Sequence, residues 1–167
     1  HQKVFAMDES DLRAQLCDLF HSQLLAVLAT QGPDGPYANL VAFASSEDLR
    51  FLLFATSRST RKFAKLSADV RAAMLIDRRS NQLSDFARAV AVTALGEVEE
   101  VTEKDRTAMQ SIYLAKHPHL AGFLESKNCA FMRLLAKKYI FVSNFQQVVE
   151  MDIDETGSSH KSSRQQP

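Results

Sequence analysis

Apolar residues recur in two rhythms along this chain. Leu12, Leu16, Leu19 and Phe20 fall three and four apart, the stripe of an amphipathic helix over 10–21, with Ser10 placed to cap it. From residue 24 the pattern turns strand-like. Residues 24–30 read as a strand, Gly32-Pro33-Asp34-Gly35-Pro36 as a turn and 37–45 as a second strand. Ser46-Glu47-Asp48 turns the chain back into a third strand over 49–55. Two hairpins in succession make an antiparallel meander, not a parallel doubly wound sheet.

The next segments repeat the alternation. A short helix is expected over 60–67, a strand over 70–76, a polar loop over 78–85 and a long strand over 88–101. Thr102, with Asp105 three residues on, resembles a capping box. The helix it opens carries Met109, Ile112, Tyr113 and Lys116 and ends near Pro118. Leu120, Phe123 and Leu124 suggest one more helical turn, and 129–143 reads as the last strand. Gly, Ser, Gln, Lys and Pro dominate from Thr156, the composition of a mobile tail. The expectation is a mainly β domain over 1–153, six antiparallel strands in a closed or nearly closed barrel with flanking helices, and a flexible tail over 154–167. Alanines such as Ala38, Ala42, Ala72, Ala73 and Ala91 dot these strands. They suit either tight barrel packing or the close approach of a flat cofactor, a helix or a second subunit.

Charge alters this picture little. The 20 acidic and 20 basic residues cancel, so bulk attraction to nucleic acid or membrane is not expected. No apolar run approaches the roughly 20 residues of a membrane span. Without a signal-peptide pattern, and with Cys17 and Cys129 isolated in apolar contexts, the chain reads as cytoplasmic with buried thiols.

Chemistry concentrates in Thr56-Ser57-Arg58-Ser59-Thr60-Arg61-Lys62, between the third strand and the short helix. A helix N-terminus offers free N–H groups and a partial positive charge, which suit an anion. Hydroxyls add hydrogen bonds, and arginine forks onto phosphate. The segment reads as a phosphate grip or as a Ser/Thr cap with a solvated basic first turn.

Pro36-Tyr37-Ala38-Asn39-Leu40-Val41, Phe54-Ala55-Thr56 and Thr60-Arg61-Lys62, in that order, resemble the flavin-binding core of the pyridoxamine 5'-phosphate oxidase-related split-barrel proteins. The resemblance covers 24–101 well and 129–145 more loosely. It implies a Greek-key, FMN-binding split barrel and a homodimer holding FMN between its subunits. It assigns Thr60, Arg61 and Lys62 to the FMN phosphate, with Arg58 as a further candidate. Thr56 and Ser57 match positions beside the ribityl chain and ring, and Asn39, Leu40 and Val41 match the strand at the isoalloxazine edge.

Other residues depart from the family's oxidase. Asn39 stands where it has an arginine, Ala44 where it has a lysine, and His117 and Ala121 where its substrate loop has arginine and serine. Its C-terminal Arg-x-His motif is missing, and Ala91 replaces a flavin-contacting glutamine. Oxidation of vitamin B6 phosphates is therefore not expected.

Ser80 and Asn81 read as a polar turn or as groups reaching a flavin, in the same chain or across a dimer. Phe145 and Gln146 read as ring cover or strand-end packing. His117-Pro118-His119 reads as a polar helix exit more readily than as a substrate loop, and no metal site is expected. The implied activity is transfer of electrons or hydride between reduced nicotinamide, NAD(P)H, and an acceptor. A non-catalytic flavin store or sensor, or a deazaflavin- or haem-binding relative, are the alternatives.

Overall fold

The third strand does not stop at its hairpin partner: it also pairs with the last barrel strand, and that pairing closes the sheet. A computed structural model describes residues 7–144 and 147–164. The barrel strands are β1 (Leu25–Gly32), β2 (Gly35–Ser45), β3 (Phe51–Ser57), β4 (Arg71–Arg78), β5 (Val90–Glu100) and β6 (Cys129–Ser143). They run in the spatial order β3-β2-β1-β4-β5-β6, all antiparallel, with β3 also paired to β6. The return of β4 to lie beside β1 after the β1-β2-β3 meander is the Greek-key step.

Inward residues fill the barrel: Leu28, Phe43, Phe54, Met74, Val92 and Phe141 have essentially no exposed surface. Helix α1 (Glu9–Ser22) adds Leu12, Leu16, Leu19 and Phe20 to the same cluster. Helix α2 (Arg61–Ala68) adds Leu66. A short α3 (Asp85–Arg88) precedes β5. Helices α4 (Glu103–Lys116) and α5 (Ala121–Glu125), joined by a 3-10 turn at Pro118–Leu120, pack a second cluster around Tyr113, Phe131 and Leu53. At Gly96, where β5 bulges against β6, a Cβ would lie 2.0 Å from Leu135 O, so only glycine fits. Among the described residues no helix is long and apolar enough to cross a membrane.

Three sequence expectations need correction. Asp8, not Ser10, caps α1: its carboxylate accepts from Asp11 N at 2.8 Å, and the helix starts one residue before Ser10. Thr102 makes no side-chain bond to the α4 backbone. Its hydroxyl donates to Asp105 Oδ2 at 3.2 Å, and Asp105 is engaged by Arg133 at 2.9 Å. The barrel has the six antiparallel strands expected, and its sheet continues through β7 (Gln147–Ile153) on β6 and β8 (Ser159–Arg164) on β7. The segment expected as a mobile tail therefore contains a strand. Its ties are long-range and polar: Arg13 Nη1 donates to Ser159 Oγ at 2.7 Å, and Lys161 Nζ donates to Met7 O.

Candidate functional site

Strands β2 and β3 pair only from Phe43/Phe54 to Ser45/Leu52, whereas β2 pairs with β1 from Gly35 to Ala42. Beyond Phe43 and Phe54 the two strands part. Asn39, Leu40 and Val41 lie on one side of the split, and Thr56 to Lys62 on the other.

The loop from β3 to α2 is shaped before any ligand arrives. Thr60 caps α2, accepting from Phe63 N at 3.3 Å. The Thr60 hydroxyl donates to Ser57 O at 2.8 Å, so in its 3.0 Å contact with Thr56 Oγ1 it is the acceptor. Ser57 Oγ accepts from Asn128 Nδ2 at 2.7 Å and meets Ser59 Oγ at 2.9 Å. Arg58 N donates to Asn128 O at 2.8 Å. Thr56, Ser57 and Thr60 thus spend their hydroxyls on loop geometry. Arg58 pairs with Glu100 and lies 5.5 Å from the Phe63 ring centroid, which draws its charge toward β5.

Arg61 and Lys62 are different. Among the described residues neither side chain has an ion pair or hydrogen bond, and their backbone N–H groups open the first turn of α2. Lys62 is half-buried, and desolvation pulls its ammonium below the usual lysine value. A basic first turn with no acid in it works against the helix dipole, which favours anions there. Arg61 lines an open groove of about 620 Å³ between α2 and the β1–β2 hairpin, beside Pro36, Tyr37 and Lys65. Lys65 Nζ donates to Gly35 O at 3.3 Å and fixes the hairpin to the helix.

Across the split, Val41 is buried in the barrel and Leu40 is 62% exposed on its outer face. Asn39 Nδ2 donates to Leu40 O at 3.2 Å, while Asn39 Oδ1 is buried with no partner among the described residues. A buried acceptor of this kind costs about 1–3 kcal/mol until something donates to it.

Leu40 belongs to an apolar row on the barrel exterior. The register sets Leu40 beside Val27, Val27 beside Leu75 and Leu75 beside Thr93, with Ala38, Ala29 and Ala73 in the next row. A hollow of about 430 Å³ on this face is lined by Leu25, Val27, Leu40, Leu75 and the Asp77–Arg79 pair.

Ser80 and Asn81 follow β4 at the end remote from Arg71, whereas α2 sits by the β1–β2 turn. The length of β4 separates them from Arg61 and Lys62 by roughly 25 Å within one chain. Both are exposed, and the Asp85 carboxylate orders them, accepting from Ser80 N, Ser80 Oγ and Asn81 N at 2.7–3.0 Å. Phe145 and Gln146 lie outside the described residues.

Two of the positions where the oxidase carries substrate cations, His117 and Ala44, serve packing here. His117 is buried and its Nε2 donates to Phe43 O at 2.8 Å; burial lowers its pKa. Tyr113 donates to Ala42 O at 3.2 Å, and burial pushes its hydroxyl up to about 12. Ala44 is buried in the α4 cluster. The substrate-loop reading of His117 is therefore replaced by a structural one. Asn39 Oδ1 is the feature that sequence reasoning missed: the residue was singled out, but an unpartnered oxygen leaves no trace in a sequence.

The sequence matches the family described as pyridoxamine 5'-phosphate oxidase over residues 12–152. No curated protein matches it. A pyridoxamine 5'-phosphate oxidase-related, FMN-binding protein of Nostoc punctiforme has a similar structure (TM-score 0.66, 14% identity, 95% of this chain and 99% of that one). So does an FAD-binding protein of Mesorhizobium loti (TM-score 0.61, 15% identity, 77% and 90%). A heme-binding protein of Mycobacterium smegmatis aligns with TM-score 0.70 at 16% identity over 90% of this chain, which spans 57% of that one's length. At these identities the structural likeness establishes the split-barrel fold.

Proposed function

The chain belongs to the pyridoxamine 5'-phosphate oxidase family, and from that premise we propose that it is a cytoplasmic flavoprotein binding FMN between two copies of itself. The observation that carries this reading is the pair Arg61–Lys62: two cations without partners among the described residues, at the head of α2. A phosphate monoester there meets two charged side chains and open backbone N–H groups. The family membership and the FMN-binding and FAD-binding character of the Nostoc and Mesorhizobium proteins support the same assignment.

The residues present suit the rest of the cofactor. Asn39 Oδ1, buried and without a partner among the described residues, would accept from a flavin hydroxyl or N–H. The exposed row around Leu40 and Leu75 shields an apolar ring from water once a second copy covers it. A second copy is also what would bring Ser80 and Asn81 toward a flavin gripped by the first. When bound, FMN supplies hydride and electron transfer, and the protein supplies grip, ring environment and access. On this reading the protein is an oxidoreductase passing electrons from NADH or NADPH to an acceptor. Vitamin B6 phosphate is a poor substrate, because His117 and Ala44 offer no cation to its phosphate.

Visible absorption after adding FMN and dialysing tests this assignment. Retained flavin bands support it; release of all FMN overturns it. Steady-state NAD(P)H oxidation then separates an enzyme from a flavin store or sensor, and retention of a phosphorylated deazaflavin in place of FMN identifies that relative. The Mycobacterium likeness favours haem as a second reading. Against it, His117 is committed to Phe43 O, and His119 and His160 are exposed. A Soret band after haem addition would reinstate haem.

A further inference from the structure

Lys116 ends α4 beside a cavity that belongs to neither the α2 grip nor the outer barrel face. The cavity is about 470 Å³ and lies between the end of α1, the end of β2 and α4. Phe20, Ala44, Ile112 and Ala115 give it apolar walls, and Ser45 and Ser111 contribute hydroxyls. Lys116 Nζ donates to Phe20 O at 2.7 Å, one of the terminal carbonyls of α1, and lies 3.9 Å from the Phe43 ring centroid. Those contacts hold the side chain in place but use one of its three protons. Beyond Phe20 O and the face of the Phe43 ring, the described residues give the ammonium no further acceptor, and no carboxylate pairs with it. Burial lowers its pKa to about 8, which marks a charge under-compensated by its surroundings.

An anion completes this arrangement, and the walls limit which one. They suit a compact apolar body. Glu47 lines the same cavity and is exposed, so its carboxylate disfavours dianions such as phosphate monoesters and dicarboxylates. We propose that this cavity binds a small organic monocarboxylate, its carboxylate on Lys116 and its apolar body against Phe20, Ile112 and Ala115.

Calorimetric titration of the full chain with 2-naphthoate, and separately with uncharged 2-naphthamide, tests the site. The expected result is saturable one-to-one binding of the acid, with the amide and the Lys116→Met variant each weaker by ~10-fold or more. Glu47→Gln should tighten the acid by removing a like charge, and Ala115→Phe should abolish binding by filling the cavity. Absence of saturable acid binding, or equal binding of acid and amide, overturns the proposal. So does unchanged affinity in Lys116→Met. Should Lys116→Met fail to fold, the acid–amide comparison and Glu47→Gln, at an exposed position, still decide the matter.

Discussion

The side-chain amide of Asn39 donates to Leu40 O at 3.2 Å, while its own oxygen is buried with no partner among the described residues. Strand β2 thus carries an uncompensated acceptor at the split from β3. Such a group is unfavourable in the free protein and useful in a complex.

Replacing Asn39 with valine should separate those two effects. The variant removes the orphaned oxygen and adds a β-branched side chain to a strand. The melting temperature without ligand should rise, by a gain of about 1 kcal/mol, while FMN binding weakens. Calorimetric melting and FMN titration of the same sample check both signs. A variant that is less stable and binds FMN unchanged would show that the oxygen has no ligand role.

The outer row Leu40–Val27–Leu75 should be covered by a second copy. Leu40 at 62% and Leu75 at 37% exposure would be costly neighbours for water on one barrel face. Light scattering should give a dimer for the native chain and a monomer for Leu40→Glu, with FMN affinity falling in parallel. A native monomer that retains FMN would rule out a site shared between copies.

Asp85 holds the loop before β5 through bonds to Ser80 and Asn81, and those bonds lower its carboxyl pKa. A carboxylate with a lowered folded pKa contributes its full stabilisation above the ordinary carboxylate value. The contribution fades as the pH falls through the lowered folded pKa. Hydrogen exchange at Ser80 and Asn81, corrected for the intrinsic rate, should therefore show protection that is constant at neutral pH and lost in acid. Asp85→Asn should weaken it at neutral pH and leave little difference from the native chain in acid. Protection independent of both would place the loop's order elsewhere.

Where side chains alternate or repeat, the sequence already reads as structure. The β1–β2 hairpin follows from apolar runs on either side of a Gly/Pro turn, and β6 occupies the expected 129–143. The placement of Arg61 and Lys62 in the first turn of α2 is legible because Thr60 reads as a cap ahead of an apolar run, and their basic character stands out there on local grounds. β7 carries a readable alternation in Val149, Met151 and Ile153 set between Glu150 and Asp152, but it lies beyond the six-strand pattern first assigned. β8 was illegible for a physical reason. Ser159-His160-Lys161-Ser162 has no apolar alternation, and its order comes from β7 and from contacts with α1 distant in sequence. The bonding of Ser57 to Asn128, like that of Tyr113 and His117 to the β2 carbonyls, equally depends on tertiary neighbours that no local pattern encodes.

FMN affinity of the double variant Arg61→Ala/Lys62→Ala tests the phosphate grip at the head of α2. Both residues lie on the first turn of α2 and have no partners among the described residues, so their loss should leave thermal stability within about 0.5 kcal/mol of native. Two charge-assisted contacts to a phosphate should weaken FMN on the order of 100-fold or more, while riboflavin, which lacks the phosphate, should bind both proteins alike. A folded double variant with native FMN affinity would contradict the phosphate grip on which the account rests.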